Sequence, residues 1–177
     1  MKTRFKFLIA AAILLLVIGT VPFLHASVSN FSLPSKTGTC LAKGASFTMP
    51  LTASVLTNVM AWQINVTYTS SAVNMTSFTL GSAFTGSNTV TTSKSSPGIV
   101  SISFTFENSA TITATSTTTV VTYTFRTLVQ SAGSSFHIVL SSENPKFGTI
   151  LLGPDPSTVQ SYTTTDGVLS CFLSPTP

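Results

Sequence analysis

The chain has 177 residues and few charges: eight Lys and Arg stand against four Asp and Glu, and charged residues make up 7% of the total. Three of the basic residues (Lys2, Arg4 and Lys6) belong to the N-terminal segment, so the rest of the chain has five basic and four acidic residues, a net charge of +1. Without a basic stripe to neutralise phosphates, nucleic acid is excluded as the expected partner.

The N-terminus has the order of a secretory signal peptide. The three basic residues precede an apolar run over residues 7–21, and Ala26 provides a small residue at a plausible cleavage point. We predict a signal peptide helix over residues 1–26 and a secreted protein that begins at Ser27. An uncleaved membrane anchor is the alternative, because the run is only just shorter than the ~20 residues of a spanning helix. Contact with a membrane is expected only in that case.

Beyond residue 40, apolar and polar residues alternate in short segments, as they do in half-buried β-strands. Between these segments lie TGSNTVTTSKSSPG, NSATITATSTTT, QSAGSS, ENPKFG and LGPDPS, whose composition favours turns and loops. No later stretch repeats apolar residues at helical spacing, so an all-β sandwich is predicted. The inward positions, in chain order, are Phe47, Met49, Leu51, Ala53 and Val55; Trp62, Ile64, Val66 and Tyr68; Val100, Ile102, Phe104 and Phe106; Val121, Tyr123 and Phe125; and Phe136, Ile138 and Leu140.

The predicted boundaries are a lead-in over residues 27–37, one sandwich domain over residues 38–173 and a tail over residues 174–177. Pro50 interrupts the first alternating segment. Because proline cannot donate a backbone hydrogen bond to a neighbouring strand, this segment is expected at a sheet edge or at a bulge.

The two cysteines, Cys40 and Cys171, lie near the two ends of the predicted domain. In a secreted chain, two cysteines suggest one disulfide, which here would close nearly the whole domain into a single loop. Two separately buried thiols are the alternative.

The order of the segments ASFTMPLTASV, MAWQINVTYTSSAVNMTSFTLGSAF, VSISFTF, VVTYTFRTL and TTDGVLS resembles the cohesin family of extracellular modules over about residues 38–172. In that family the second strand ends in an aromatic residue followed by Asp-Pro-x-Val-Leu. Here Tyr68 is followed by Thr-Ser-Ser-Ala-Val, so the apolar anchor at Val73 is kept and the Asp-Pro pair is missing.

This resemblance implies a jelly-roll-like antiparallel sandwich of about nine strands, with the first and last strands side by side. That arrangement would bring Cys40 and Cys171 together. It also implies a non-catalytic module that docks a calcium-loaded dockerin, while structural relatives bind cellulose or other glycans.

In the family the docking surface is one flat sheet face, and the strand WQINVTY would present Gln63 and Asn65 on it. A neighbouring strand would add further polar residues to this face, and two strands are candidates between which the sequence does not decide. The predicted partner-binding residues are Gln63, Asn65, Ser101, Ser103 and Thr105; the alternative set is Thr122, Thr124 and Arg126.

Three Asn-x-Ser/Thr sequons, at Asn30, Asn65 and Asn74, are predicted N-glycosylation sites. A glycan on Asn65 would stand on the same face that a protein partner needs. Either that sequon is unused, or the chain does not dock there.

Carbohydrate binding would require exposed aromatic rings. Trp62 is in phase with the apolar positions of its strand, and turning it outward would expose all of them, so it is assigned to the core. Phe84, Phe147 and Tyr162 lie in connecting segments and are the predicted glycan-stacking residues.

The composition speaks against catalysis, and no cofactor or metal is predicted. The acids are widely spaced, Asp155 and Asp166 fall in turn sequences, and His137 is expected on the outer face of its strand as a surface residue. The sequence therefore predicts a secreted recognition module for a dockerin-like protein or a polysaccharide, associated with polysaccharide breakdown or cell-surface attachment. A structural subunit of a cell envelope or filament is the alternative.

Overall fold

The computed structural model describes residues 28–86, 89–130, 133–155, 157 and 159–172. The predicted signal peptide and tail lie outside these residues. Within them, fourteen β-strands and two short 3₁₀ turns, Ser82–Phe84 and Glu107–Ser109, follow one another along the chain. The strands are β1 Ser29–Ser32, β2 Lys36–Thr39, β3 Ser46–Ala53, β4 Leu56–Val59, β5 Ala61–Tyr68, β6 Val73–Leu80, β7 Thr89–Ser96, β8 Ile99–Phe106, β9 Ile112–Ala114, β10 Thr118–Thr127, β11 Ser134–Ile138, β12 Ile150–Leu152, β13 Tyr162–Thr165 and β14 Gly167–Phe172.

Two sheets form the sandwich. The five-stranded sheet has the order β13-β1-β3-β10-β6, and the seven-stranded sheet has the order β2-β14-β11-β5-β8-β7, with β12 also paired to β5. The strands β4 and β9 make a separate two-stranded pair. All pairings are antiparallel except those of β1 with β13 and β2 with β14, which are parallel.

The predicted all-β sandwich is confirmed, and the count of about nine strands agrees with the described segments. The pairs β1/β2 and β13/β14 are each one strand that crosses from one sheet to the other, and β11 and β12 are two parts of one strand along β5. Counted in this way, and with β4 and β9 set apart, the segments make nine strands. Both parts of the first strand lie before residue 40, so the predicted lead-in contributes paired backbone to both sheets.

The core consists of the inward positions of facing strands. Trp62, Ile64, Val66 and Tyr68 are buried, as the period-two pattern predicts, and Trp62 is only 2% exposed. The fully buried aliphatic side chains of this set, Ile64 and Val66, each contribute about 1.5–3 kcal/mol. A shift of one residue would turn the whole set to solvent, so the core fixes the register of β5.

Pro50 lies opposite Thr122 of β10, while β1 pairs only with Thr52 and Ala53 of the same strand β3. β3 is thus an inner strand, between β1 and β10, and the edge position predicted for it is wrong; Pro50 is tolerated because β1 does not pair with β3 at that residue.

The segment TVTTSKSS, expected to be part of a connection, is instead the edge strand β7. Thr91, Ser93 and Ser95 are exposed even though they point to the same side as the core residues of β8. A strand that buries little of either face needs no apolar alternation, and the sequence pattern consequently gave no strand signal there.

The disulfide between Cys40 and Cys171 is present, with 4.6 Å between the two Cα atoms. It lies at the end of the parallel β2–β14 pair, where Cys171 is in register with Gly38. The first and last strands run side by side as the resemblance implies, and the bridge closes a loop with a sequence separation of 131 residues.

Candidate functional site

The outward side of the seven-stranded sheet brings together the residues predicted to bind a partner. Ala61, Gln63 and Asn65 of β5 are in register with Thr105, Ser103 and Ser101 of β8, so their side chains lie on one face. We call this the β5–β8 face. The alternative set at Thr122, Thr124 and Arg126 belongs to β10 in the other sheet.

The strand β12 adds two apolar residues that the sequence analysis missed. Ile150 lies opposite Gln63 and Leu152 opposite Ala61, while Leu151 between them is fully buried. Three consecutive aliphatic residues show no alternation, so the pattern did not reveal that two of them face outward. A depression of about 360 Å³ results on the β5–β8 face; its lining includes Ala61, Gln63, Ser103, Thr105, Ile150 and Leu152.

One exposed aliphatic side chain lies beside Leu152, outside the lining of the depression. Val159 forms an antiparallel bridge with Leu152 and is 56% exposed. Because residues directly opposite each other in an antiparallel pair point to the same side, Val159 extends the apolar surface beyond β12. Gln63 is one of three polar residues that line the depression, with Ser103 and Thr105, and its Oε1 accepts a hydrogen bond from the Ser103 hydroxyl at 3.2 Å.

Asn65, in contrast, is not available at this surface. Residues 139–149, here called the cover segment, separate β11 from β12 and pack over it, leaving Asn65 0% exposed. Its Nδ2 donates to the carbonyl of Gly148 at 2.9 Å, and its backbone N–H donates to the Thr149 hydroxyl at 3.3 Å. The Asn65 side chain points to the predicted side, but neither a partner nor a glycan can reach it while the segment is in place.

Beside the cover segment, His137 lies between two carboxylates, an arrangement that the sequence analysis did not predict. Its Nδ1 is 2.6 Å from Asp166 Oδ2, and its Nε2 is 2.9 Å from Glu143 Oε2. Asp166 also accepts the backbone N–H of Ile138, and Glu143 accepts that of Leu140. All three side chains are partly exposed: His137 by 39%, Asp166 by 46% and Glu143 by 44%.

These contacts shift the pKa values of two members of the group. The hydrogen bond to Asp166 raises the pKa of His137 above its usual 6.5; partial burial opposes this, and the hydrogen bond to Glu143 adds to it. The backbone N–H of Leu140, followed by the contact with His137, lowers the pKa of Glu143. The arrangement therefore favours an imidazolium that bridges two ionised carboxylates.

Of the three predicted glycan-stacking residues, one is fully buried and two are half-buried. Phe84 is fully buried, with its ring centroid 5.8 Å from that of Trp62 and 5.3 Å from that of Phe104, so its assignment to the surface is wrong. Phe147 is half-buried in the cover segment. Tyr162 packs edge-on against Phe31, and its hydroxyl donates to the Thr149 carbonyl.

The other two sequons lie in the five-stranded sheet. Asn74 is exposed on the edge strand β6, and its glycosylation stays a prediction. The Nδ2 of Asn30 donates to the Thr163 hydroxyl at 2.8 Å, so a glycan there would first have to break this bond.

In the described part of the chain, no group of three or more His, Cys, Asp or Glu side chains is arranged to hold a metal ion. Nor does that part contain a helix with the length and apolar character needed to cross a membrane.

The fold and the shallow face define a jelly-roll-like β-sandwich with a candidate recognition surface on one sheet. The family model described as "Cohesin domain" matches residues 29–150, and the chain belongs to this family. Cohesin domains are non-catalytic protein-binding modules. No curated protein matches the chain by sequence.

Solved cohesin structures share the fold at low sequence identity. A non-cellulosomal cohesin from the archaeon Archaeoglobus fulgidus is 11% identical with a TM-score of 0.64, over 82% of this chain and 92% of that one. The third ScaC cohesin of Acetivibrio cellulolyticus, solved in complex with the ScaB dockerin, is 16% identical with a TM-score of 0.65, over 82% and 99%. A type II cohesin from the cellulosome of the same organism is 17% identical with a TM-score of 0.64, over 81% and 95%.

Proposed function

We propose that this cohesin domain is a non-catalytic docking module that binds a dockerin-like protein through the β5–β8 face. The observation that carries the proposal is the depression in which Gln63, Ser103 and Thr105 meet the outward side chains of Ile150 and Leu152. A few apolar side chains surrounded by hydroxyl and amide groups are the usual composition of a protein-binding patch.

The surface chemistry supports a protein partner more than a polysaccharide. The large hydrophobic side chains exposed in the described part of the chain are all aliphatic: Val28, Leu128, Val129, Val159 and Val168. Flat stacking on a sugar needs an aromatic ring, whereas aliphatic side chains suit the apolar face of an amphipathic helix.

An extracellular location belongs to the same proposal. The disulfide supports it, because such bridges persist in oxidising compartments. Association with polysaccharide breakdown or cell-surface attachment stays a prediction, and it would come from whatever enzyme or anchor carries the dockerin.

The proposal is tested by calorimetric titration of the oxidised protein with a panel of dockerin modules that includes the ScaB dockerin of A. cellulolyticus. We expect saturable one-to-one binding to at least one module. Leu152→Lys should weaken it at least about tenfold, because it places an ammonium group at the centre of the apolar patch. Absence of binding to every dockerin would refute the proposal.

Leu128→Lys is the matched control, since Leu128 is 38% exposed and directly follows β10 of the other sheet. The same substitution there should leave dockerin affinity unchanged. Equal losses in both variants would show that the β5–β8 face is not the binding surface. Urea unfolding of both variants verifies that each is folded.

A further inference from the structure

The cover segment interrupts the pairing of β11 and β12 with β5 at the centre of the β5–β8 face. β11 pairs with β5 as far as Val66, and β12 resumes the pairing at Gln63, so residues 139–149 form an insertion opposite Ile64 and Asn65. Val139 N–H donates to the Asn65 carbonyl at 2.9 Å, and Thr149 N–H donates to the Val139 carbonyl at 2.8 Å. The first bond anchors the start of the insertion on β5, and the second joins the two ends of the insertion.

In the structure the cover segment is closed over β5, and one buried polar atom beneath it lacks a hydrogen bond. Beneath the cover segment, Asn65 Oδ1 is buried and has no hydrogen-bond partner among the described residues. A buried acceptor without a partner disfavours the closed form, because water would satisfy it in the open form. The balance between the two forms therefore depends on contacts elsewhere in the segment.

Tyr162 holds Ser141 and Thr149 of the segment by hydrogen bonds, and the contact that changes with pH is the one at His137. Glu143, within the cover segment, contacts Nε2, and Asp166, in the turn between β13 and β14, contacts Nδ1. The register neighbour of His137 on β5 is Thr67, which does not titrate. A neutral imidazole has one N–H and one lone pair, so only a doubly protonated ring can donate to both carboxylates at once.

We infer that the cover segment is a pH-sensitive lid over Asn65, held closed by a bridge from Glu143 through doubly protonated His137 to Asp166. When the ring loses a proton, one lone pair must face a carboxylate. The contact of His137 with Glu143 is longer than that with Asp166, at 2.9 Å against 2.6 Å. The contact with Glu143, which lies in the lid, is therefore the one that breaks. Opening adds the amide of Asn65 to the β5–β8 face. That this changes docking rests on the proposed function.

The test measures lid opening directly, without a partner. Amide hydrogen exchange is followed by NMR in the oxidised protein from about pH 5.5 to about pH 8.5, together with the titration of the His137 ring. The protection factors of Val139 and Thr149 should fall about threefold as the ring deprotonates, a change in the range of partly exposed ion pairs. Amides in β10 should not change with them.

Three variants isolate the bridge. His137→Gln should give low, pH-independent protection at Val139 and Thr149, and Glu143→Gln should lower it while weakening its dependence on pH. Lys146→Gln removes a charge from the cover segment outside the bridge and should keep the wild-type profile. Protection that does not change with pH in the wild type, or a pH dependence that survives His137→Gln, would overturn the inference.

The dockerin titration then separates this inference from the proposed function. If the lid opens with pH and dockerin binds, affinity should rise with pH in the wild type and be independent of pH in His137→Gln. If no dockerin binds at any pH, the proposed function fails, while the exchange profiles still decide whether the lid exists.

Discussion

Replacing Phe84 by Ala tests whether this ring stabilises the core or serves a surface. The side chain is fully buried between the rings of Trp62 and Phe104. Burying a phenylalanine removes roughly 150–200 Å² from water, about 4–5 kcal/mol at about 25 cal/mol per Å². Because Ala keeps the Cβ and the site relaxes in part, we expect the free energy of unfolding to fall by about 3–5 kcal/mol.

Urea unfolding followed by the fluorescence of Trp62, the only tryptophan, measures this loss, because its indole stacks against the same cluster. Phe147→Ala is the control: Phe147 is half-buried in the cover segment, and its loss should cost about 1 kcal/mol or less. If Phe84→Ala costs no more than this control, the burial deduced for Phe84 is wrong.

Cys40→Ser combined with Cys171→Ser should lower the free energy of unfolding by about 2–5 kcal/mol, because the bridge closes a long loop. Urea unfolding of this variant should match that of the reduced wild type. A loss below about 1 kcal/mol would contradict the loop argument. Gly148→Ala should increase hydrogen exchange in the cover segment, since its Cβ would lie 2.2 Å from Ser141 Cα; wild-type exchange would show that the two backbones separate without cost. The pKa of His137 is raised in the folded protein, so its contribution to stability is complete below about pH 6.5 and is lost as the pH rises through the raised value. Chemical unfolding across this range should show the decline in the wild type and not in His137→Gln.

The strands and the core could be predicted because they depend on local alternation. The burial of Trp62 and its neighbours on β5 follows from the apolar residues two positions apart in the sequence, and predicting it requires no distant contact. β7 was missed because an exposed edge strand buries too little to require a pattern.

The candidate site could be predicted only in part, because its accessibility depends on distant segments. Gln63 and Ser103 follow from strand phase, but the burial of Asn65 depends on Gly148, 83 positions away. Likewise, His137 and Asp166 are 29 positions apart, and no local pattern connects them. Such contacts depend on the paths that the loops take. A turn-forming composition indicates that a loop is present but does not determine its path.

The parallel alignment of the first and last strands has a mechanical consequence. Because β2 and β14 run in the same direction, the chain enters the sandwich at one end of this pair and leaves at the other, and a pull on both termini would load their hydrogen bonds in shear, all together, instead of one by one. The bond between Cys40 and Cys171 would then carry the tension from one end of the module to the other. The strands that form the β5–β8 face lie within the bypassed loop, so a load applied along the chain would leave that face undeformed.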